Sequence, residues 1–296
     1  MKIGFIGQGY IGKNYADSFE DRGFEVIRYS NEEPYVHNLT QLQEAECIFV
    51  AVPTPTTTDG FDLSIVRRVL KLVPKGKIAI IKSTILPGNT KELQKENPDI
   101  TLLHSPEFLS EATARRDADN PTRNIVGVPT QSEIHLTAAK KVMEILPVAP
   151  YTLICDSDAS ELIKYANNTL FYTKILHVNV LYDIAEKIGV PWGVVKEAMA
   201  NEPMIGSAFH LDPVHKTGRG AGGHCLIKDF AALRKFYEET VSDEYTVAML
   251  KAQEERNIAL LKKSNKDLDL LKGIYGEEVG STVIQNPMPV ITNVTH

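Results

Sequence analysis

The chain has 296 residues, with 32 Lys and Arg against 38 Asp and Glu, a net charge of −6. That length suits two domains, and a mildly acidic chain argues against a nucleic-acid or anionic-membrane partner. Apolar residues at 43% and charged residues at 24% exclude wholesale disorder. No apolar run reaches the roughly 18 residues of a membrane helix. Three cysteines (Cys47, Cys155, Cys225) make no disulfide framework, and the opening MKIGFIGQGYIG is too glycine-rich for a signal peptide. A reducing, cytoplasmic location is expected, in which the Asn-x-Thr triplets at Asn38, Asn167 and Asn293 stay unglycosylated.

Ile3–Ile6 reads as a strand, Gly7–Gly12 as a tight turn, and the stretch from about Lys13 to Arg22 as a helix stopped by Gly23. Strands follow at Glu25–Tyr29, Cys47–Val52, Ile78–Lys82, Leu102–His104 and Ile125–Val128, with helices at Leu63–Leu72 and Ser132–Ile145. This alternation predicts an α/β domain to about residue 154, a parallel sheet covered on both faces. Ala159–Ile188 has neither Gly nor Pro, and apolar residues recur at helical spacing from Leu162 through Leu170 and Val178 to Ile188. One helix of about 45 Å is expected there. It would be the spine of an all-helical second domain over 155–272 and the contact of a homodimer. Further helices are expected at Trp192–Ala200, Lys228–Glu239 and Ser242–Lys263, then an irregular tail or single edge strand from Gly273.

Gly7-Gln8-Gly9-Tyr10-Ile11-Gly12 is a GxGxxG turn between a strand and a helix, the Rossmann-type dinucleotide fingerprint. Glycines let the main chain approach a pyrophosphate, and the helix N-terminus favours its charge. The acid that usually ends the second strand and binds the ribose is replaced by Ser30, with Arg28 nearby. NAD is the expected cofactor, with NADP also compatible. Val52-Pro53-Thr54-Pro55 and Lys82-Ser83-Thr84 lie at the C-terminal ends of strands, where ligands of open parallel sheets bind.

Four glycines fall between Gly218 and Gly223, and Cys225 follows them just ahead of an expected helix. A helix N-terminus and the nearby Lys228 favour a thiolate, so Cys225 is a candidate nucleophile, whereas Cys47 and Cys155 sit in apolar strand contexts. Glu161, Lys164 and Asn168 share one face of the long helix, either as a solvated polar stripe or, for the amine and amide, as donors to an oxyanion. Ser105-Pro-Glu107-Phe-Leu-Ser-Glu111 sets two carboxylates four apart, either two exposed acids or a base and a hydroxyl acceptor.

In order along residues 1 to 260, these segments resemble the UDP-glucose/GDP-mannose dehydrogenases. The stretches Ser105–Leu109, Ala114–Arg123 and Gly222–Asp229 are the most specific. The resemblance implies oxidation of a sugar C6 alcohol to a carboxylate with two NAD. Cys225 would form a thiohemiacetal and then a thioester, and Lys164 and Asn168 would hold the C6 oxygen. Thr84, Glu111 and Asp229 would position water. Glu107, Phe108, Leu109 and Gly222 would line the sugar site, and Lys228 would lie near the cofactor. Departures are a short stretch from Asn31 to Leu42, Ser30 for the acid, Met204 for an arginine, and Ile227 for a proline. The family's third, nucleotide-holding domain is expected to be missing. Two other readings stay open: a single-step β-hydroxyacid dehydrogenase, which would not need Cys225, and a non-catalytic nucleotide-binding relative.

Overall fold

The computed structural model describes residues 1–203, 205–206, 210, 212–215 and 218–280. Met204 and the tail beyond residue 280 lie outside the described residues. The chain forms two compact units: Met1–Pro55 with Phe61–Ala166, and Thr56–Gly60 with the chain from Asn167 onward.

The first unit opens with β1 (Lys2–Ile6), α1 (Tyr10–Asp21), β2 (Glu25–Tyr29), a 3-10 turn at Val36–Glu44 and β3 (Cys47–Val50). The chain then forms the hairpin β4 (Thr56–Thr57) and β5 (Gly60–Phe61), of which Thr56–Gly60 belongs to the second unit, and the first unit resumes with α2 (Ser64–Leu70), β6 (Ile78–Ile81), α3 (Asn89–Glu96) and β7 (Thr101–His104). The unit continues through α4 (Ala114–Asp119), β8 (Arg123–Val128), α5 (Glu133–Ile145) and β9 (Tyr151–Asp156) into α6 (Ser157–Ile188). The sheet order is β2-β1-β3-β6-β7-β8-β9. Strand alternation divides the core into two layers. Ile6, Ile48, Val50, Ala79 and Ile81 pack towards α2 and Leu93 of α3, while Ile3, Phe5, Phe49, Ile80 and Leu103 pack towards α1 and α5.

The wholly parallel sheet expected from the alternation needs one correction. β7 and β8 pair antiparallel at His104 and Gly127, so β8 and β9 run against the other strands. Between them the six-residue α4 packs beside α1, with Ser18 Oγ 3.4 Å from the carbonyl of Ala118, and supplies no full crossover. The edge strand β9 and α3 were not legible in hydrophobic periodicity. Tyr151 and Thr152 are exposed, and α3 is largely polar. The shortened stretch after β2 folds as the 3-10 turn, where Asn38 donates to the carbonyl of Arg28 at 3.0 Å on the sheet edge.

In the second unit α6 is followed by α7 (Trp192–Ala200), the hairpin β10 (Val214–His215) and β11 (Gly218–Arg219), α8 (Gly223–Thr240) and α9 (Glu244–Lys263). The helices α10 (Leu268–Tyr275) and α11 (Glu277–Gly280) correct the irregular tail expected from Gly273. Leu271 and Ile274 bury against Ile227, Ala231 and Leu261, a tertiary packing that fixes helix there. No helix among the described residues is long and apolar enough to cross a membrane.

Candidate active site

The turn Gly7–Gly12 joins β1 to α1. Gly7 has φ +95°, and a side chain on it or on Gly12 would strike backbone: the carbonyl oxygen of Ala51 at 2.2 Å, or that of Gly7 at 1.9 Å. Gly9, the N-cap of α1, has nothing within 4 Å of the place a Cβ would take. Two glycines therefore serve close packing and one leaves open backbone at a helix N-terminus. This is the cradle a dinucleotide pyrophosphate requires. Tyr10 and Ile11 begin the helix, and the Tyr10 hydroxyl donates to the carbonyl of Ser110 at 2.7 Å.

Arg28 lies close to Ser30 in the sequence but is already engaged. Its guanidinium meets Asp17 Oδ1 at 2.6 Å, Glu20 at 2.7 and 3.0 Å, and Gln8 Oε1 at 3.3 Å. Two carboxylates on α1 hold the cation that could otherwise attract a 2′-phosphate. Ser30 turns its hydroxyl to the backbone of Glu32 at 2.9 Å. Ser83 Oγ bonds both the N–H and the carbonyl of Val52, at 2.9 and 2.7 Å, and Thr54 Oγ1 donates to the carbonyl of Thr84 at 2.7 Å. These polar residues tie the loops at the C-terminal ends of β3 and β6, with Pro53 between their anchor points.

The Ser105–Glu111 loop carries a buried charge pair. Glu107 Oε1 accepts from Lys164 Nζ at 2.8 Å, each side chain 5% exposed, and its second oxygen accepts from the Leu109 N–H at 2.7 Å. Glu107 is thus no solvated acid, whereas Glu111 is exposed. The Arg123 guanidinium stacks 3.8 Å over the Phe108 ring, and Leu109 packs on the core. Glu161 does not join this group. Its carboxylate accepts the N–H groups of Gly88 and Thr90, both at 2.7 Å, and so caps α3. Lys82, the first residue after β6, is buried 4.2 Å over the Tyr15 ring and reaches Ser105 Oγ at 3.4 Å and the Pro106 carbonyl at 3.3 Å. Burial lowers its ammonium to a pKa of about 7.

In the second unit Cys225 is exposed in the first turn of α8 and makes no disulfide. Lys228 and Asp229 follow at i+3 and i+4, on the same helix face. Asp229 is 1% exposed, and its two oxygens are divided between Asn168 Nδ2 at 2.6 Å and Lys228 Nζ at 2.5 Å. A buried carboxylate is thereby fully paired, and it fixes the Asn168 amide. The other two thiols are of a different kind: burial pushes Cys47 up to about 11 and raises Cys155. The Gly218–Gly223 loop leads into α8 and is bonded by residues the sequence did not single out. Asn257 both accepts from and donates to the backbone of Ala221. Asn257 lies inside α9, where a single polar residue carries no distinctive sequence signal.

Comparison with known proteins agrees with this geometry. The NAD-binding domain of the UDP-glucose/GDP-mannose dehydrogenase family matches residues 37–146, and the family's central domain matches 158–258. A UDP-glucose 6-dehydrogenase of Rickettsia bellii is 26% identical over 91% of this chain and 70% of its own length. A UDP-glucose dehydrogenase structure from Pyrobaculum islandicum superposes with a TM-score of 0.75 at 24% identity, over 92% of this chain and 70% of that one. The fold is also shared with a 3-hydroxyisobutyrate dehydrogenase of Mycobacterium tuberculosis, with a TM-score of 0.68 at 16% identity, over 89% of this chain and 94% of that one. With the NAD-binding and central domains of the family matched one after the other along it, the chain belongs to the UDP-glucose/GDP-mannose dehydrogenase family, as an NAD-dependent dehydrogenase of nucleotide sugars.

Proposed function

We propose that this chain oxidises the C6 alcohol of a nucleotide sugar of the UDP-glucose or GDP-mannose type to the carboxylate, with Cys225 as covalent nucleophile. The observation that carries the proposal is an exposed thiol in the first turn of α8, one turn ahead of a buried, fully paired Asp229. A single-step β-hydroxyacid dehydrogenase has no use for that thiol.

NAD, when bound, accepts a hydride at each oxidation. Lys164 and Asn168 donate to the C6 oxygen as it gains negative charge. Each is backed by a carboxylate, Glu107 for Lys164 and Asp229 for Asn168, which orients the donor. The Cys225 thiolate then adds to the aldehyde carbon. A C–S bond forms, the carbonyl pair moves to oxygen, and a proton completes the thiohemiacetal. Loss of its hydroxyl proton and its carbon-bound hydride leaves a thioester. Water attacks that carbon, the C–S bond breaks, and the acid departs as the thiolate is restored. Thr84, Glu111 and Asp229 hold the waters that carry these protons. Glu107, Phe108, Leu109 and Gly222 line the sugar site, and Ser30 meets the cofactor ribose.

The test supplies UDP-glucose and GDP-mannose with NAD and measures NADH and carboxylate. Wild-type protein is expected to form two NADH per carboxylate with one of them. Cys225→Ser is expected to lose acid formation by at least about 10³-fold. Undiminished acid formation in that variant, or none from any nucleotide sugar in the wild type, overturns the reading. We also infer that two copies pair along α6, where Leu170, Ile184 and Ile188 are 66%, 52% and 67% exposed and recur at whole-turn spacing. A monomer by light scattering at micromolar concentration would refute this pairing.

A further inference from the structure

The loop before Cys225 is shaped by the protein's own side chains. Asn257, 1% exposed on α9, accepts from the Ala221 N–H at 2.8 Å and donates to the Ala221 carbonyl at 2.9 Å. Lys266, 6% exposed, sends its ammonium to the carbonyls of Gly218 at 3.2 Å and Gly220 at 3.1 Å. Asp267 Oδ2 accepts from the Gly223 N–H at 2.7 Å, at the first residue of α8, and Ser264 Oγ accepts from the Arg219 N–H at 3.0 Å. Six successive positions of the loop and helix start, 218 to 223, are thus either bonded or closely packed by one stretch of α9 and the turn after it.

The packing is as close as the bonding. A Cβ on Gly222 would lie 2.3 Å from Asp267 Oδ2 and 2.5 Å from Lys266 Cε, and one on Gly218 would lie 2.4 Å from Ser264 Cβ. Gly220, at φ +93°, would place a Cβ 2.9 Å from Asn257 Oδ1. The turn itself uses left-handed backbone at Asn265 and Asp267, with φ of 49° and 55°, a region that asparagine and aspartate enter more readily than other residues bearing a side chain.

We propose that Asn257, Lys266 and Asp267 form a clamp that fixes the Gly218–Gly223 backbone and thereby aims the Cys225 thiol. They are positioning residues for the covalent step. The proposal rests on the reading of Cys225 as nucleophile given above. In it the loop glycines serve approach by the turn after α9. The Asp267 bond to the Gly223 N–H ties that turn directly to the helix start, two residues before the thiol.

The experiment compares Asp267→Asn with Asp267→Gly in the full chain. Asparagine keeps an acceptor oxygen and tolerates the left-handed backbone, whereas glycine keeps the backbone and removes the acceptor. Three quantities are read. The first is the rate of Cys225 alkylation by iodoacetamide, located by peptide mass. The second is the NADH-to-carboxylate ratio with UDP-glucose, and the third is the thermal midpoint. Asp267→Asn is expected within about twofold of wild type in rate and ratio. Asp267→Gly is expected to change the alkylation rate by about tenfold and to raise the NADH-to-carboxylate ratio above two, as aldehyde escapes before thiol capture. A loss of folding alone would lower both oxidations together and leave that ratio at two.

Asp267→Gly with wild-type alkylation and ratio, or the two variants behaving alike, overturns the clamp. If Asp267→Gly does not fold, Asn257→Asp, which keeps the acceptor for Ala221 N–H and loses the donor, is read by the same criteria. Should Cys225→Ser still make acid, the nucleophile reading fails by itself. The alkylation comparison continues to test the clamp.

Discussion

Two glycine-rich turns lead into helices in this chain, and they are glycine-rich for different reasons. At Gly7–Gly12 the tight contacts are with backbone, the carbonyls of Ala51 and Gly7, while Gly9 faces open space. At Gly218–Gly222 the tight contacts include side chains of the chain itself, Ser264, Asn257, Lys266 and Asp267. The first turn leaves one glycine clear of protein at a helix N-terminus. The second uses its glycines to admit a bracing segment. Glycine content alone signals close approach, but it does not say what approaches.

That contrast can be broken by adding single methyl groups. The largest effect is expected at Gly9. Alanine there meets no protein atom, so the thermal midpoint should hardly move, while NAD affinity falls by about tenfold or more because the methyl occupies the pyrophosphate's approach. Gly12→Ala should do the reverse in kind. Its methyl strikes the Gly7 carbonyl, and the protein is expected to lose about 1–3 kcal/mol of stability. Gly218→Ala should resemble Gly12→Ala in stability, because Ser264 Cβ is a short, fixed stub, yet it should leave NAD affinity within about twofold of wild type. Calorimetric titration with NAD and a thermal melt separate the three. Equal loss of NAD affinity in Gly9→Ala and Gly218→Ala would erase the distinction.

The same contrast explains what could be read from sequence. The fingerprint turn was legible because its function depends on local order: strand, glycines, helix. Cys225 and Lys228 stood out beside the glycines, but the helix was expected only from Lys228 and Asp229 came from the family resemblance; α8 starts at Gly223 and so brings all three onto one face. Lys164 and Asn168 were legible only as a pair on one helix. Their carboxylate partners, Glu107 and Asp229, lie 57 and 61 residues away, at separations no periodicity encodes. Glu161 shares a helix face with Lys164, yet the face is buried and not a solvated stripe. It caps α3 because its carboxylate meets the N–H groups of Gly88 and Thr90. Arg28 looked available beside Ser30, but Asp17 and Glu20, a turn apart on α1, hold it. The clamp was invisible because Asn257, Ser264, Lys266 and Asp267 read as an ordinary polar helix end.

Two buried lysines extend the comparison from shape to charge, with a smaller effect. Lys266 is buried against two carbonyls of its glycine turn. Lys82, beside the β6 strand end, has longer bonds to Ser105 Oγ and the Pro106 carbonyl and lies over Tyr15. Burial is the largest influence on Lys82, Glu107 opposes it, and Lys164 reinforces it, so its pKa falls from 10.5 to about 7. Between those two values the unfolded chain binds a proton at Lys82 that the folded chain does not. Stability contributed by this residue therefore rises with pH across that window, and the cost of holding it charged is full below pH 7. Lys82→Met removes the titration while keeping an unbranched apolar stem. It also removes two hydrogen bonds, a loss that does not change with pH. The wild-type free energy of urea unfolding, followed by circular dichroism, should therefore rise relative to the variant's as pH increases from about 7 to about 10, by at most about 1.4 kcal/mol per pH unit, and the midpoint with it. Parallel midpoint curves for the two proteins would mean that Lys82 keeps its proton in the fold, with Glu107 outweighing burial.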